Sequence, residues 1–307
     1  MSRKTPWVVS TLAVVAVGTL GFMMFALANT QNLTSSVTVG TAVPSIPTIT
    51  VNHGSAITLT ANATHNVDVN ATITDGSGCT QITGGTTTVL LYRSGVTSST
   101  CFTTANPLDC YSATSFTTSS CLSGTEVTTT TFALQYFAQA TDSSSSYSGQ
   151  TWMATVDFTA SGGATGTADS AAGVTLNTLT AINVTTSSIN YGTISASSTT
   201  GSADQVTTTT NAGNSSTSLQ LYASATLTSS PNVIATSSQG YSTAPFTYPG
   251  ASVALTSAAV TVSGFTLTSP TSTTNVQAPV YWGLGVPNGT PTGTYTGTNV
   301  FQALFSQ

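Results

Sequence analysis

The sequence predicts an all-β protein with two tandem immunoglobulin-like β-sandwich domains behind an N-terminal signal or anchor helix. Short runs in which Val, Ile, Leu, Tyr or Phe alternate with Ser and Thr recur along the chain. Such alternation is typical of strands with one buried face. Turn signals separate these runs at intervals of about eight to twelve residues, the spacing of a β-sandwich. No repeat at a fixed period indicates a solenoid or a propeller.

Residues 1–28 have the layout of a secretory signal. Arg3 and Lys4 form a positive region, an apolar stretch follows, and Ala26-Leu27-Ala28 supplies the small residues that precede a cleavage point. The apolar stretch is also long enough to span a bilayer, so an uncleaved anchor is the alternative. In that case only residues 7–27 contact the membrane. Either alternative exports the rest of the chain and predicts an extracellular or cell-surface location.

Composition divides the exported part into four segments. Residues 29–45 are rich in Thr, Ser and Val and predict an extended arm, which could pair with a neighbour's sheet or serve as an ordinary tether. Residues 46–160 predict a first β-sandwich with a disulfide loop. Residues 161–173 are small and Gly-rich without apolar periodicity, so we expect a flexible linker. Residues 174–307 predict a second β-sandwich.

Alternation places the strands of both domains. In the first domain it predicts strands at 57–61, 67–73, 89–92, 126–140 and 152–158, the fourth of these being central. The second domain has its main runs at 182–184, 205–210, 219–223 and 260–267.

The C-terminal stretch Val280–Phe305 has two strand-like runs around a turn rich in Pro and Gly, and it predicts a closing hairpin. We expect one face of its last strand to be buried through Tyr295, Phe301, Ala303 and Phe305.

The four cysteines predict two disulfides, since an even count in an exported chain indicates oxidation. A zinc site would need closely paired Cys or His residues, and the gaps here are wide. Three pairings are open. We favour a local loop between Cys101 and Cys110, with Cys79 joined to Cys121 at its base.

Charge excludes one class of function. Only 4% of the residues are charged, and Arg93 is the single basic residue, histidine aside, beyond Arg3 and Lys4. A nucleic-acid-binding protein needs a basic surface, so we predict no nucleic-acid partner. A surface so poor in charge favours association, a cover of glycans or assembly into a larger structure.

The sequence predicts no enzyme. A hydrolytic triad could use only His53 and His65, and no nucleophile elbow, zinc-protease helix or phosphate loop is present. Asp75 and Asp142 each lead a Gly/Ser-rich turn where calcium could bind, but Asp in such turns usually caps its own backbone and no calcium-loop motif occurs. We therefore predict no catalytic residue, no cofactor and no metal ligand.

Two further sets of residues concern glycans. Acceptor sequences for N-glycosylation begin at Asn32, Asn62, Asn70, Asn183, Asn214 and Asn288, although a chain so rich in Ser and Thr produces such a number by chance. Trp152 and Trp282, with Tyr241 and Tyr248, could form a platform for sugar rings. Their regular strand positions favour a core role instead.

Three stretches carry a resemblance to known proteins: FALQYFAQATDSSSSYSGQTWMATVDF, NYGTISASSTTGSADQVTTTTNAGNSSTSLQLY and VYWGLGVPNGTPTGTYTGTNVF. They resemble uncharacterised two-domain exported proteins of small-genome bacteria, and are similar to cell-surface sandwich modules of archaea. The resemblance covers most of the chain beyond the signal. It implies immunoglobulin-like sandwiches displayed outside the cell and carries no catalytic residues across.

Together these features predict a non-catalytic extracellular structural or adhesive surface protein, such as a subunit of a surface layer or filament. Its expected partners are further copies of itself, reached through sheet edges or the N-terminal arm, and cell-surface glycans. The alternative is a module that binds carbohydrate or another ligand.

Overall fold

A computed structural model describes residues 34–306, and these form an all-β protein with four open antiparallel sheets, an arrangement consistent with a β-sandwich. The chain divides after Gly40 into two compact units. Of the first unit, residues 34–40 are described, and they have no regular secondary structure. The predicted signal or anchor, residues 1–28, lies outside the described residues. Within residues 34–306, no helix is long and apolar enough to cross a membrane.

The second unit begins with two four-stranded sheets. Sheet 1 has the strand order β1-β2-β6-β5 and consists of β1 (Ser45–Val51), β2 (His65–Thr74), β5 (Thr117–Thr118) and β6 (Thr125–Leu134). Sheet 2 has the order β4-β3-β7-β8 and consists of β3 (Thr86–Arg93), β4 (Cys110–Ala113), β7 (Trp152–Thr159) and β8 (Thr165–Asp169). Two short helices, α1 (Cys79–Thr83) and α2 (Ser98–Thr103), lie in the connections.

Alternation in the sequence explains the centre of sheet 1. Along β2 the residues at every second position, Val67 to Ile73, are buried, as predicted. β6 pairs with all of β2, from His65 opposite Leu134 to Thr74 opposite Thr125. The strand predicted at 126–140 therefore exists but ends at Leu134. Residues from both sheets, with Val174 and Leu176, form one buried apolar cluster.

Two further sheets complete the unit. Sheet 3 has the order β14-β13-β16-β10-β9 and consists of β9 (Ile182–Val184), β10 (Gln205–Asn211), β13 (Gln239–Ser242), β14 (Val253–Ala254) and β16 (Gln277–Leu284). Sheet 4 consists of β11 (Thr217–Ser229), β12 (Asn232–Ile234), β15 (Val260–Leu267) and β17 (Thr296–Phe305). β15 and β12 pair with β11 on one edge and β17 pairs with the other. A second apolar cluster, which includes Leu219, Phe265 and Trp282, lies between these sheets.

The prediction of a flexible linker at residues 161–173 is wrong. This segment contains β8, which pairs with β7 from Thr155 opposite Asp169 to Thr159 opposite Thr165. Its small residues allow close approach: a Cβ on Gly166 would lie 2.2 Å from the carbonyl oxygen of Pro44. Backbone hydrogen bonds hold this segment in the sheet. Such bonds do not require alternating apolar residues, so the sequence of the segment shows no apolar periodicity.

The predicted closing hairpin is also wrong. β16 pairs with β10 and β13 in sheet 3, whereas β17 pairs with β11 in sheet 4. The segment 285–295 therefore crosses from one sheet to the other, and its turn at Pro287 to Thr290 does not join two paired strands. Pro and Gly mark a turn in both arrangements, so the local sequence could not distinguish them.

A set of hydrogen bonds joins the region of the first cluster to that of the second. Asn214 Nδ2 donates to the carbonyl oxygens of Ala138, at 2.9 Å, and Asn177, at 3.2 Å, while its Oδ1 accepts from Leu179 N at 2.7 Å. The carboxylate of Asp142 accepts from both Thr178 N and Thr178 Oγ1, each at 2.6 Å. These bonds satisfy partly buried polar groups and hold the two regions together.

Candidate self-association surface

The last strand, β17, is a long open edge. It has ten residues and pairs only with β11 among residues 34–306. The register is continuous from Thr217 opposite Phe305 to Ala223 opposite Asn299, and shifts only nearer Thr296. Natural proteins protect such edges with charges, proline or bulges, and from Asn299 to Phe305 none of these is present. An edge of this kind presents unpaired backbone N–H and C=O groups to which a further strand can add.

The half of the chain that contains β17 has exposed apolar side chains and, from residue 205 onward, no charged side chain. Leu304 and Phe305 are 40% and 37% exposed, and further exposed valines in this half of the chain are Val206, Val233, Val253 and Val260. No Asp, Glu, Lys, Arg or His occurs from Gln205 to Gln307. Two copies that meet through this half experience no like-charge repulsion.

The part of the predicted arm that the structure describes presents an exposed pattern of strand-forming residues. Val37, Val39 and Val43 are 86%, 85% and 71% exposed, and Thr41 continues the same parity. β-Branched residues at every second position are typical of a strand with one buried face. Pro44 is buried and Ser45 begins β1, so the arm ends two residues before the predicted boundary.

Both predicted disulfides form. Cys79 pairs with Cys121 and Cys101 with Cys110, with Cα–Cα distances of 5.7 and 5.6 Å. Tyr111 attaches this loop to the end of β6: its hydroxyl donates to Pro107 O at 2.6 Å and accepts from Gln135 N at 3.0 Å. Burial raises the pKa of Tyr111 to about 12.

Arg93, at the end of β3, is the centre of a buried polar network that the sequence did not predict. Its Nε donates to Gln139 Oε1 at 2.8 Å, and a terminal nitrogen donates to Gln150. The guanidinium lies 3.7 Å from Asp109 Oδ2 and 3.9 Å from the ring centre of Tyr147. Burial raises the pKa of the Asp109 carboxyl, and the attraction of Arg93 lowers it to a smaller extent.

A groove of about 570 Å³ lies beside this network. Phe137, Tyr147, Phe305 and the serines of 143–146 line part of it, together with Asn214. None of its lining side chains is charged, so it fits a neutral, hydroxyl-rich ligand better than an ion.

The core role that we favoured for the two tryptophans over a platform for sugar rings is confirmed. Trp152 and Trp282 are fully buried, and Tyr241 is 2% exposed. Each indole nitrogen donates within the core: Trp152 Nε1 to Gln139 O at 3.0 Å and Trp282 Nε1 to Thr207 Oγ1 at 2.9 Å.

The six candidate glycosylation sites differ in access. Asn62, Asn183 and Asn288 are exposed, whereas Asn70 and Asn214 are half-buried. The amide nitrogen of Asn214, where a glycan would attach, already donates to two carbonyl oxygens. Asn32 lies outside the described residues.

The histidines and the turn aspartates contact other residues and not one another. His53 Nε2 lies 3.9 Å from Asp68 on the surface, and His65 Nδ1 lies 3.5 Å from Thr60 Oγ1. Asp75 and Asp142 cap their own turns through Ser77 N and Ser144 N, as predicted. Within residues 34–306, no cluster of three or more His, Cys, Asp or Glu could hold a metal ion.

No family model matches the sequence, and no similar protein is found among curated proteins.

Proposed function

We propose that this protein is a non-catalytic structural subunit of the cell surface, built from two immunoglobulin-like β-sandwich modules and assembled into a filament or layer by strand addition. The observation that carries the proposal is the regular, uncharged open edge of β17 together with an exposed arm of strand-forming residues. The two disulfides support an oxidising location outside the cell, because they rarely persist in the cytosol.

Assembly follows from the chemistry of an open edge. The arm of one copy pairs antiparallel or parallel with β17 of the next copy, and its backbone amides and carbonyls satisfy the free groups of that edge. Val37, Val39, Thr41 and Val43 then cover apolar surface near Leu304 and Phe305. Because donor and acceptor lie on different surfaces, the contact is head-to-tail and propagates into a chain of copies.

Removal of the arm tests the proposal. We expect a chain that lacks residues 29–43 to fold and to remain monomeric, since Pro44 and β1 are retained, whereas the full exported chain forms concentration-dependent polymers. Size-exclusion chromatography with light scattering and electron microscopy measure the difference. Undiminished polymers after the deletion would contradict the proposal.

A point variant tests the acceptor edge separately. Leu304→Lys places a charge on β17 and is expected to reduce polymer formation at least tenfold, because natural sheets use lysine to block edge pairing. Val253→Lys is the matched control: it adds the same charge to an exposed valine in the same half of the chain, on the two-residue strand β14. If the two variants form polymers to the same extent, the contact between copies lies elsewhere than at β17.

A ligand-binding module is the second candidate function, and the uncharged groove beside Tyr147 favours it. Neutral saccharides suit a groove of serine hydroxyls and aromatic rings. A glycan array tests this function. Binding by the monomer that lacks the arm would support it, and the absence of any signal would contradict it.

A further inference from the structure

Two carboxylates are buried at one end of sheet 1 and have no positive partner in the part of the chain that the structure describes. Asp75 follows β2 and Glu126 is the second residue of β6, and each is only 2% exposed. Asp75 Oδ1 accepts from Ser77 N, but Asp75 Oδ2 and Glu126 Oε2 are buried and accept no hydrogen bond from the described residues. The two ion pairs of the described chain involve neither carboxylate.

The strand register makes these two side chains neighbours. Glu126 lies opposite Ile73, and Asp75 N donates to Gly124 O at 2.9 Å, which extends the same register by two residues. Residues two apart on a strand share a face, so both carboxylates project from the core face that bears Ile73. They are diagonal neighbours, whose Cα atoms typically lie about 7–8 Å apart, a distance that Asp and Glu side chains can span. Gly124, opposite Asp75, places no side chain between them.

The surrounding chain holds this end of the sheet in place. Helix α1 follows the turn of Asp75, and the disulfide between Cys79 and Cys121 joins that helix to the segment before β6. Gly124 has φ +75°, and a Cβ there would lie 2.5 Å from Asp75 O. The two carboxylates are therefore fixed by a turn, a disulfide and a close backbone contact.

Two ionised carboxylates in a protein interior need a positive charge nearby, because a buried carboxylate ion without a cation is strongly disfavoured. Residues 34–306 supply none nearby: Arg93 is engaged with Asp109 on sheet 2, and His53 with Asp68 on the surface. His65 begins β2, at the other end of that strand.

We infer that Asp75 and Glu126 bind one divalent cation of the calcium class. Ca²⁺ prefers carboxylate oxygens supplemented by backbone carbonyls and water, and it tolerates irregular geometry. The bound ion would join the end of β2 to the start of β6 and stabilise the exported domain.

Calcium titration tests the inference. We expect the metal-free exported chain to bind one equivalent of Ca²⁺ by calorimetry, and its Tm to rise by about 5 °C when free Ca²⁺ is a hundredfold above Kd. Both effects should be lost in Glu126→Gln and in Asp75→Asn, which keep side-chain size. Asp157→Asn is the matched control and should respond like the parent, since Asp157 accepts only from exposed Thr167.

Three outcomes overturn the inference. The first is a parent chain that neither binds Ca²⁺ nor changes its Tm. The second is binding that persists in both Glu126→Gln and Asp75→Asn, which would place the ion elsewhere. The third is a calcium-dependent rise in Tm that is as large in Glu126→Gln and Asp75→Asn as in the parent, which would show that the stabilising ion does not use these carboxylates. Circular dichroism of each variant confirms that it is folded before binding is compared.

Discussion

Arg93→Met is expected to lower the free energy of unfolding by about 3 kcal/mol, because it removes one partner of a buried ion pair. The change leaves Asp109 half-desolvated without its cation and deprives Gln139 and Gln150 of their donors. It also removes the cation from the ring of Tyr147, whose loop then loses one of its attachments to β3. Urea unfolding at pH 7, followed by tryptophan fluorescence, measures the loss.

Arg93→Lys separates charge from geometry. Lysine keeps the positive charge but lacks the planar fork that reaches Gln139, Gln150 and Asp109 together. We expect Arg93→Lys to restore less than half of the free energy of unfolding that Arg93→Met loses. A lysine variant as stable as the parent would show that charge alone matters, and a methionine variant within about 0.5 kcal/mol of the parent would contradict the role of the network.

The loss of stability in Arg93→Met should depend on pH. Burial already raises the pKa of Asp109 above its ordinary value, and removal of Arg93 takes away the attraction that opposes this rise. A carboxyl whose pKa is higher in the folded state than in the unfolded state favours folding while it is protonated. Its contribution to the free energy of unfolding is lost as pH rises through the folded-state pKa. The deficit relative to the parent should therefore be smaller at pH 4 than at pH 7.

Features that depend on neighbours in sequence could be predicted from the residues alone. Alternation from Val67 to Ile73 fixes which side of β2 is buried, since the period of a strand is two residues. The short spacing between Cys101 and Cys110 favoured a local disulfide, and that pairing is present. In these cases the physical cause acts over one strand or one turn.

Features that depend on distant pairing could not be predicted in this way. β17 pairs with β11 in sheet 4 instead of with β16, the strand before it in the chain, and no local residue specifies that choice. The edge of β17, which forms half of the candidate surface, follows from this pairing. The other half, the exposed valines of the arm, was evident from the sequence.

One signal for the buried carboxylates was present in the sequence. Glu126 has the same parity as Phe132 and Leu134, so a straight strand places it on the core face with them. Asp75 gives no such signal, because its burial depends on the turn that folds over the start of β6. Only the register of β2 with β6 brings the two together.

Removal of the disulfide between Cys79 and Cys121 should cost more stability than removal of the disulfide between Cys101 and Cys110. The first closes a separation of 42 residues and the second a separation of 9, and the entropy that a cross-link removes from the unfolded chain rises with loop length. We expect losses of about 4 and about 3 kcal/mol, respectively, for the two double Ala variants.

The longer disulfide also has a role in the folded state, since it joins helix α1 to the segment before β6 and encloses the turn of Asp75. Its removal should therefore weaken Ca²⁺ binding, whereas removal of the shorter one should leave that binding unchanged. Urea unfolding of both double variants, each with and without Ca²⁺, measures the two effects together. A reversed order of stability would contradict the loop-length argument and would show that the folded-state contacts of the buried Cys101 and Cys110 outweigh it.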